Sequence, residues 1–341
     1  MNAPVLPWLF TIMLGIYLFG LNYYSSHRTP PGPAYRFYDT TAVHVHISGQ
    51  AGPHTVFCQH NSILQEQRIF TKARVVTDST AELVFRINSP RPALLYLNDE
   101  LIEIFLRPGD TSLHVFADLK EGVLDSVGFL GGTEQECRYY RERLEEFGES
   151  DLRRNYTTLR GSSSLAYSAK LDSLAAQELA FLAKQEIFES LPQWFVDLEK
   201  SEILYQIAYL KLNRGPDSTQ TDKQTQQLAL YNHRALFSYY YYMYLKACFQ
   251  DKILKGDSVL SGSKQAQMMQ LADQQLEGSA KDVFMTRTIL ECLSIGNLLQ
   301  AEALLSSHQQ DFASKRYLRF LQERVRIEKR KAKNLQESPM K

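Results

Sequence analysis

Cysteine is scarce and scattered in this chain of 341 residues. The four thiols, Cys58, Cys137, Cys248 and Cys292, stand far apart and none belongs to a Cys-x-x-Cys pair. That excludes a local dithiol redox motif and a zinc ribbon; isolated cysteines in apolar stretches read as buried structural thiols. A surplus of charge is missing too, since 38 basic residues meet 38 acidic ones. No overall field favours nucleic acid, and no nucleic-acid partner is expected. The sequence holds no Gly-x-Ser-x-Gly elbow, phosphate-binding glycine loop, His-Glu-x-x-His pair or kinase signature. Carboxylates abound, but none is paired in a pattern that announces a raised pKa. No residue is nominated as catalytic, and a non-enzymatic role is expected.

Charge is absent altogether from Met1 to Ser26, and Pro7–Leu21 is almost wholly apolar. As a helix, Val5 to Tyr23 would run roughly 28 Å, close to the thickness of a bilayer core. Trp8, Tyr17, Tyr23 and Tyr24 supply aromatics at both ends, as an interfacial belt does. Residues 5–24 are therefore expected to be a transmembrane anchor, with a Pro/Gly linker over 25–35. A cleaved signal peptide is the rival reading, but a basic start and a small-x-small cleavage site are both lacking. Arg28 and Arg36 follow the span, and the positive-inside rule taken alone would keep that side in the cytoplasm.

Residues 36–132 read as sheet. Val43, Val45 and Ile47 alternate with His44, His46 and Ser48, and His54–His60 makes a second strand after the Gly49–Pro53 turn. Ile69–Val76, Ala81–Ile87 and Ala93–Leu97 continue as short runs bounded by turn residues, the pattern of an antiparallel β-sandwich-like domain or open barrel. Leu101–Leu113 looks like the organising stretch. Ile102, Ile104 and Leu106 alternate with Glu103 and Phe105, and Pro108-Gly109-Asp110 supplies turn chemistry. Leu113, Val115 and Ala117 then resume the alternation, so a β-hairpin about that turn is expected. If the first two strands also form a hairpin pairing Ser48 with His54, then His44, His46, His54, Cys58 and His60 share one face. His44, His46, Cys58 and His60 are then candidate ligands for zinc or copper; a solvated polar face is the plainer reading.

From Thr133 on, the period changes to that of helices. Thr133 and Glu136 have capping-box spacing. Amphipathic runs follow at Leu165–Leu191, Trp194–Leu212, Leu228–Phe249, Lys264–Leu276, Ala280–Ile295, Asn297–His308 and Phe312–Leu335. The fold class expected is α+β: an N-terminal membrane helix, a β domain over 36–132, an all-α helical domain over 133–335 and a short tail over 336–341. The tyrosine run Ser238–Tyr244 reads as core or interface packing. Arg324–Lys333 carries six basic residues against one acid. It reads as a solvated helix end, with anionic lipid or an acidic partner as the alternative.

The order of these signals resembles the N-terminal region of TlpA/ResA-like thiol–disulfide oxidoreductases of the thioredoxin family in Bacteroidota. The matching residues are Phe105-Leu-Arg-Pro-Gly-Asp110, the Phe129-Leu-Gly131 element, the immediate start of helix at Thr133, and Trp194–Tyr205. In that family the last helix leads into a thioredoxin domain with a Cys-x-x-Cys site; this sequence has no such pair. The family's usual asparagine in the first helix is also absent, and Cys137 stands near its place. The resemblance thus implies the non-catalytic module, held by its anchor with its bulk in the periplasm, and not the redox activity. The partners it implies are a separate thioredoxin-fold protein or a second copy of the chain. An α-solenoid-like adaptor is the alternative, suggested by Asn297–His308, although no sustained repeat of about 34 residues is visible.

Overall fold

The structure, a computed structural model, describes residues 36, 37, 39–49, 53–61, 68–73, 79–148, 164–213, 228–256 and 261–337. The expected anchor and linker lie outside the described residues. Among those that are described, no helix is long and apolar enough to cross a membrane. The chain is α+β, as expected. Eight strands come first: β1 Thr40–Ser48, β2 Val56–Asn61, β3 Arg68–Ala73, β4 Thr80–Arg86, β5 Arg91–Leu97, β6 Glu100–Leu106, β7 Leu113–Lys120 and β8 Val123–Leu130. Eight described α-helices follow: α1 Glu134–Phe147, α2 Ser164–Phe188, α3 Gln193–Leu212, α4 Tyr239–Lys255, α5 Lys264–Gln275, α6 Gly278–Ser294, α7 Leu298–His308 and α8 Lys315–Glu337.

The strands form two four-stranded sheets, ordered β4-β1-β7-β8 and β3-β2-β5-β6. Period-two alternation explains why. Val43, Val45, Leu83, Leu113 and Val115 bury one face of the first sheet, while Cys58, Leu95, Leu97, Ile102 and Ile104 bury one face of the second. These faces share one core, which runs on without a break into α1, α2 and α3 through Tyr139, Leu171 and Phe195.

Two expected hairpins are not formed. β1 and β2 lie in different sheets, so Ser48 does not pair with His54. β6 and β7 also lie in different sheets, and the Pro108-Gly109 turn is a corner between them. The turn chemistry itself is as read. Asp110 N–H donates to the Arg107 carbonyl at 3.1 Å, with proline at the second position and Gly109 at φ +79° in the third, which is a type II turn. Because this corner changes sheets, β7 returns beside β1 in the same direction. Val43 pairs with Leu113 and His44 with His114 in parallel register, so the sheet is mixed and not purely antiparallel. The true two-residue hairpins are β5–β6, across Asn98-Asp99, and β7–β8, across Glu121 and Gly122. The latter pair sit at φ 55° and 86°, as a type I′ turn requires.

The corner is locked to the start of the helices. The Asp110 carboxylate accepts from Ser112 N–H and Oγ–H at 2.9 and 2.7 Å, and Ser112 Oγ accepts from Gly132 N–H at 3.1 Å. A side chain at Gly131, where φ is +123°, would place its Cβ 2.1 Å from the Ser112 carbonyl oxygen; only glycine fits. Thr133 precedes α1 but its hydroxyl makes no cap bond, so the expected capping box is not formed. The Thr133 backbone (φ −124°, ψ 26°) is off the extended conformation of an N-cap. Glu136 instead turns inward and is buried near Arg107 and Asp110, where burial raises its pKa.

Phe105, expected on the polar side of its strand, is fully buried. α1 and α3 cover that side: its ring meets Phe195 edge-on at 5.1 Å and Tyr140 at 5.9 Å. Cys137 Sγ accepts its backbone N–H at 3.2 Å. In the helical half, the expected helix over 228–249 begins only at Tyr239. Tyr205 donates its hydroxyl to the Ala229 carbonyl at 2.8 Å and Tyr241 to that of Leu230 at 2.5 Å. Asn232 caps a short 3-10 turn instead, so side chains outcompete the helix there. Tyr240, Tyr241, Tyr242 and Tyr244 are all buried, because α3 flanks α4 on one side and α6 on the other.

Candidate functional site: a histidine face on the first sheet

The four histidine and cysteine residues proposed as metal ligands separate into two places. His44 and His46 lie on the outer face of the sheet β4-β1-β7-β8 and are half-buried. Cys58 and His60 lie on β2 and point into the core, at 0% and 2% exposure. The cause is the missing β1–β2 hairpin, which alone would have put them on one face. His54 is likewise buried, with its Nδ1 3.3 Å from Asn98 Nδ2. The Cys58 thiol is pushed up to about 12 by burial, so at neutral pH it is a protonated core side chain, not a ligand thiolate. Cys137, Cys248 and Cys292 are pushed up in the same way, to about 12, 11 and 11. All four cysteines are free thiols. Among the described residues, no group of three or more His, Cys, Asp or Glu side chains is arranged to hold a metal ion.

What His44 and His46 do meet is His114, from β7, a residue the sequence reading did not single out. Its signal was the alternation of Leu113, Val115 and Ala117, which puts His114 and Phe116 on the opposite face. Which strand would lie beside them was not legible. In the parallel register His44 faces His114 and His46 faces Phe116. The His44 and His114 rings stack at 4.8 Å, and those of His46 and Phe116 at 4.7 Å. His46 Nε2 and His114 Nδ1 share a hydrogen bond of 2.9 Å, and His44 Nε2 lies 3.2 Å from the Thr111 carbonyl oxygen. Burial, then the neighbouring imidazoles His114 and His44, hold the pKa of His46 below its usual value. The lowered pKa favours the neutral form of the His46 imidazole.

Around the imidazoles the face is apolar and open. Val84, Phe116 and Leu130 are 51%, 43% and 56% exposed. The charged groups on it include Glu82 on β4, opposite His44, Arg86 at the far end of the same strand, opposite Thr40, and Asp118 and Lys120 along β7. A second concavity, of about 190 Å³, lies between β6, β8 and α1, lined by Ile102, Val127, Phe129 and Leu144 among others. Arg141 also lines it and donates to the Val127 carbonyl and to Glu145, the latter at 3.0 Å. The guanidinium thus covers part of the free edge of β8.

The fold defines a class: a mixed α+β chain in which two four-stranded sheets share a core with the first three of a series of helices. Comparison with protein-family models gives no match. Comparison with curated proteins gives none either.

Proposed function

We propose that this chain is a membrane-anchored envelope protein that works by binding, not catalysis, with its bulk in the periplasm and a separate thioredoxin-fold protein as partner. On this reading the two-sheet body is a sandwich-like platform, residues 5–24 are the anchor, and 25–35 hold the platform off the bilayer. The observation that carries the reading is the outer face of β4-β1-β7-β8. It presents Val84, Phe116 and Leu130 exposed on the sheet face that also carries three imidazoles, and exposed apolar side chains gathered on one face support a binding role. The uncharged N-terminus supports the anchor. The Pro-Gly-Asp turn and the Phe129-Leu-Gly131 element, two of the motifs that carry the resemblance to the oxidoreductase module, meet at the corner where Ser112 accepts from Gly132 N–H.

A photo-crosslinking residue at Phe116, in cells carrying the full chain, tests this. It should trap a thioredoxin-fold protein that the same residue at Glu121, on the exposed β7–β8 turn, does not. Identical products from both positions, or none from Phe116, would sink the reading.

The second reading, an adaptor of solenoid type, has one observation in its favour. α4 packs on α5, α5 on α6, α6 on α7 and α7 on α8, and α6 also touches α8. Crosslinks that map to α5–α8 and not to β7 would favour it.

A further inference from the structure

We propose that His46 Nε2 and His114 Nδ1 form a linear, two-coordinate site for a monovalent d10 metal ion, copper(I) or silver(I). The two residues are diagonal neighbours on adjacent parallel strands, His44 being opposite His114 and His46 opposite Phe116. Their nitrogens are 2.9 Å apart. The ring centroids are 5.2 Å apart, with the planes 20° from parallel. That centroid distance is the nitrogen separation plus one ring radius at either end. Both nitrogens thus lie on the line joining the rings, and their lone-pair axes oppose one another head to head. One proton sits between them.

A linear nitrogen–metal–nitrogen unit has the same shape, with the metal in the proton's position. Copper(I) and silver(I) have filled d shells, no ligand-field demand for further donors, and a preference for two collinear neutral nitrogens. Zinc needs about four donors converging tetrahedrally, and copper(II) needs a square-planar or tetragonal set. This face offers neither. The third ring, His44, stacks on His114 at 4.8 Å and has its Nε2–H engaged by the Thr111 carbonyl, so it meets His114 with its ring face and not with a nitrogen. The arrangement selects by coordination number.

With metal–nitrogen bonds of about 2 Å, the two nitrogens must part by about 1 Å to admit the ion. The face allows this. Both rings are half-buried at an open surface. The residue opposite Phe116 on β8 is Gly128, so no side chain there braces the ring that stacks on His46. The proton balance is simple. When both rings are neutral, the shared N–H moves to the other nitrogen of its own ring, the metal takes the vacated line, and no proton leaves. Glu82 and Asp118 on the same face favour the added positive charge, against Arg86 and Lys120. This inference is independent of the partner reading, and either can fail alone.

The test uses the full chain, purified in detergent without a histidine tag and titrated anaerobically with copper(I) against a chromophoric chelator. X-ray absorption at the copper edge then separates nitrogen from sulfur neighbours. One copper(I) per chain with two nitrogen neighbours is expected. That nitrogen-bound ion should be lost in H46Q and in H114Q and kept in H44Q. Sulfur-only coordination, no uptake, or uptake unchanged in H46Q and H114Q would overturn the proposal. Should a variant fail to fold, the wild-type imidazole 15N resonances decide. On adding silver(I), those of His46 Nε2 and His114 Nδ1 must shift together, and shifts elsewhere alone would refute the site.

Discussion

Replacing Glu199 by glutamine should abolish a pH dependence of stability that the buried junction of α1, α2 and α3 creates. Glu199 is 7% exposed. Tyr140 donates its hydroxyl to the carboxylate, and Arg143 lies near it but is bonded to Glu178 at 2.9 Å. One guanidinium therefore serves two buried carboxylates. Burial dominates, and the pKa of Glu199 rises from 4.5 to about 7 despite Tyr140 and Arg143, which both pull it down. A carboxyl whose pKa is raised on folding is held in its neutral form by the native state. The stability tied to that neutral form is complete below pH 4.5, declines as pH rises from 4.5 to about 7, and is constant beyond. At about 1.4 kcal/mol per pH unit, the loss across that window is about 3 kcal/mol. Glutamine keeps the volume and a carbonyl acceptor for Tyr140 but cannot ionise. Urea unfolding of wild type and E199Q at pH 4.5, 5.5, 6.5 and 7.5 should give similar stabilities at the acid end. Toward pH 7.5, E199Q should be the more stable by about 3 kcal/mol. If the difference between the two proteins is flat across the series, the argument that burial outweighs Arg143 is wrong.

Gly131→Ala forces a Cβ to within 2.1 Å of the Ser112 carbonyl oxygen at φ +123°. It should cost more than about 3 kcal/mol or prevent folding, whereas Gly256→Ala, a left-handed helix end at φ +69° and ψ 23° with nothing within 4 Å, should cost only about 1 kcal/mol. Thermal melts of the two variants compare them directly. The buried Asp282 carboxylate accepts from Ala313 and Ser314 N–H at 2.7 and 2.8 Å and so caps the approach to α8. Asp282→Ala should lower stability by about 2 kcal/mol in urea unfolding, and no change would show the cap to be idle. Arg141→Ala removes the donor to the Val127 carbonyl and uncovers that part of the β8 edge. Light scattering should show concentration-dependent association that the wild type lacks.

Much of the fold was legible because alternation is a local property. The strands of 43–47, 81–87, 93–97 and 101–106 are all present, with ends shifted by a few residues. What alternation does not encode is the sheet to which the next strand belongs. Pro108-Gly109-Asp110 has the same local chemistry as a hairpin turn and as a corner. The choice is made by the Ala42 N–H, which donates to the Asp110 carbonyl at 2.9 Å from far back in the chain. The histidine face was half legible for the same reason. His44 and His46 announced themselves through their alternation with valine and isoleucine. Their partner His114 is brought in by a parallel pairing that only the corner makes possible. Thr133–Glu136 and 228–238 failed differently: local capping and helix signals lost to the burial of Glu136 and to the tertiary hydrogen bonds of Tyr205 and Tyr241.

The central claim, an envelope platform whose imidazole-bearing sheet face stands open on the periplasmic side, is tested most directly by thiol labelling of Phe116→Cys in intact cells. The native thiols provide a low background, since burial raises the pKa of all four. A membrane-impermeant maleimide should label the variant once the outer membrane alone is opened, at a rate close to that of an exposed thiol. Labelling only after the inner membrane is lysed would place the face in the cytoplasm, and labelling only after denaturation would show it to be covered.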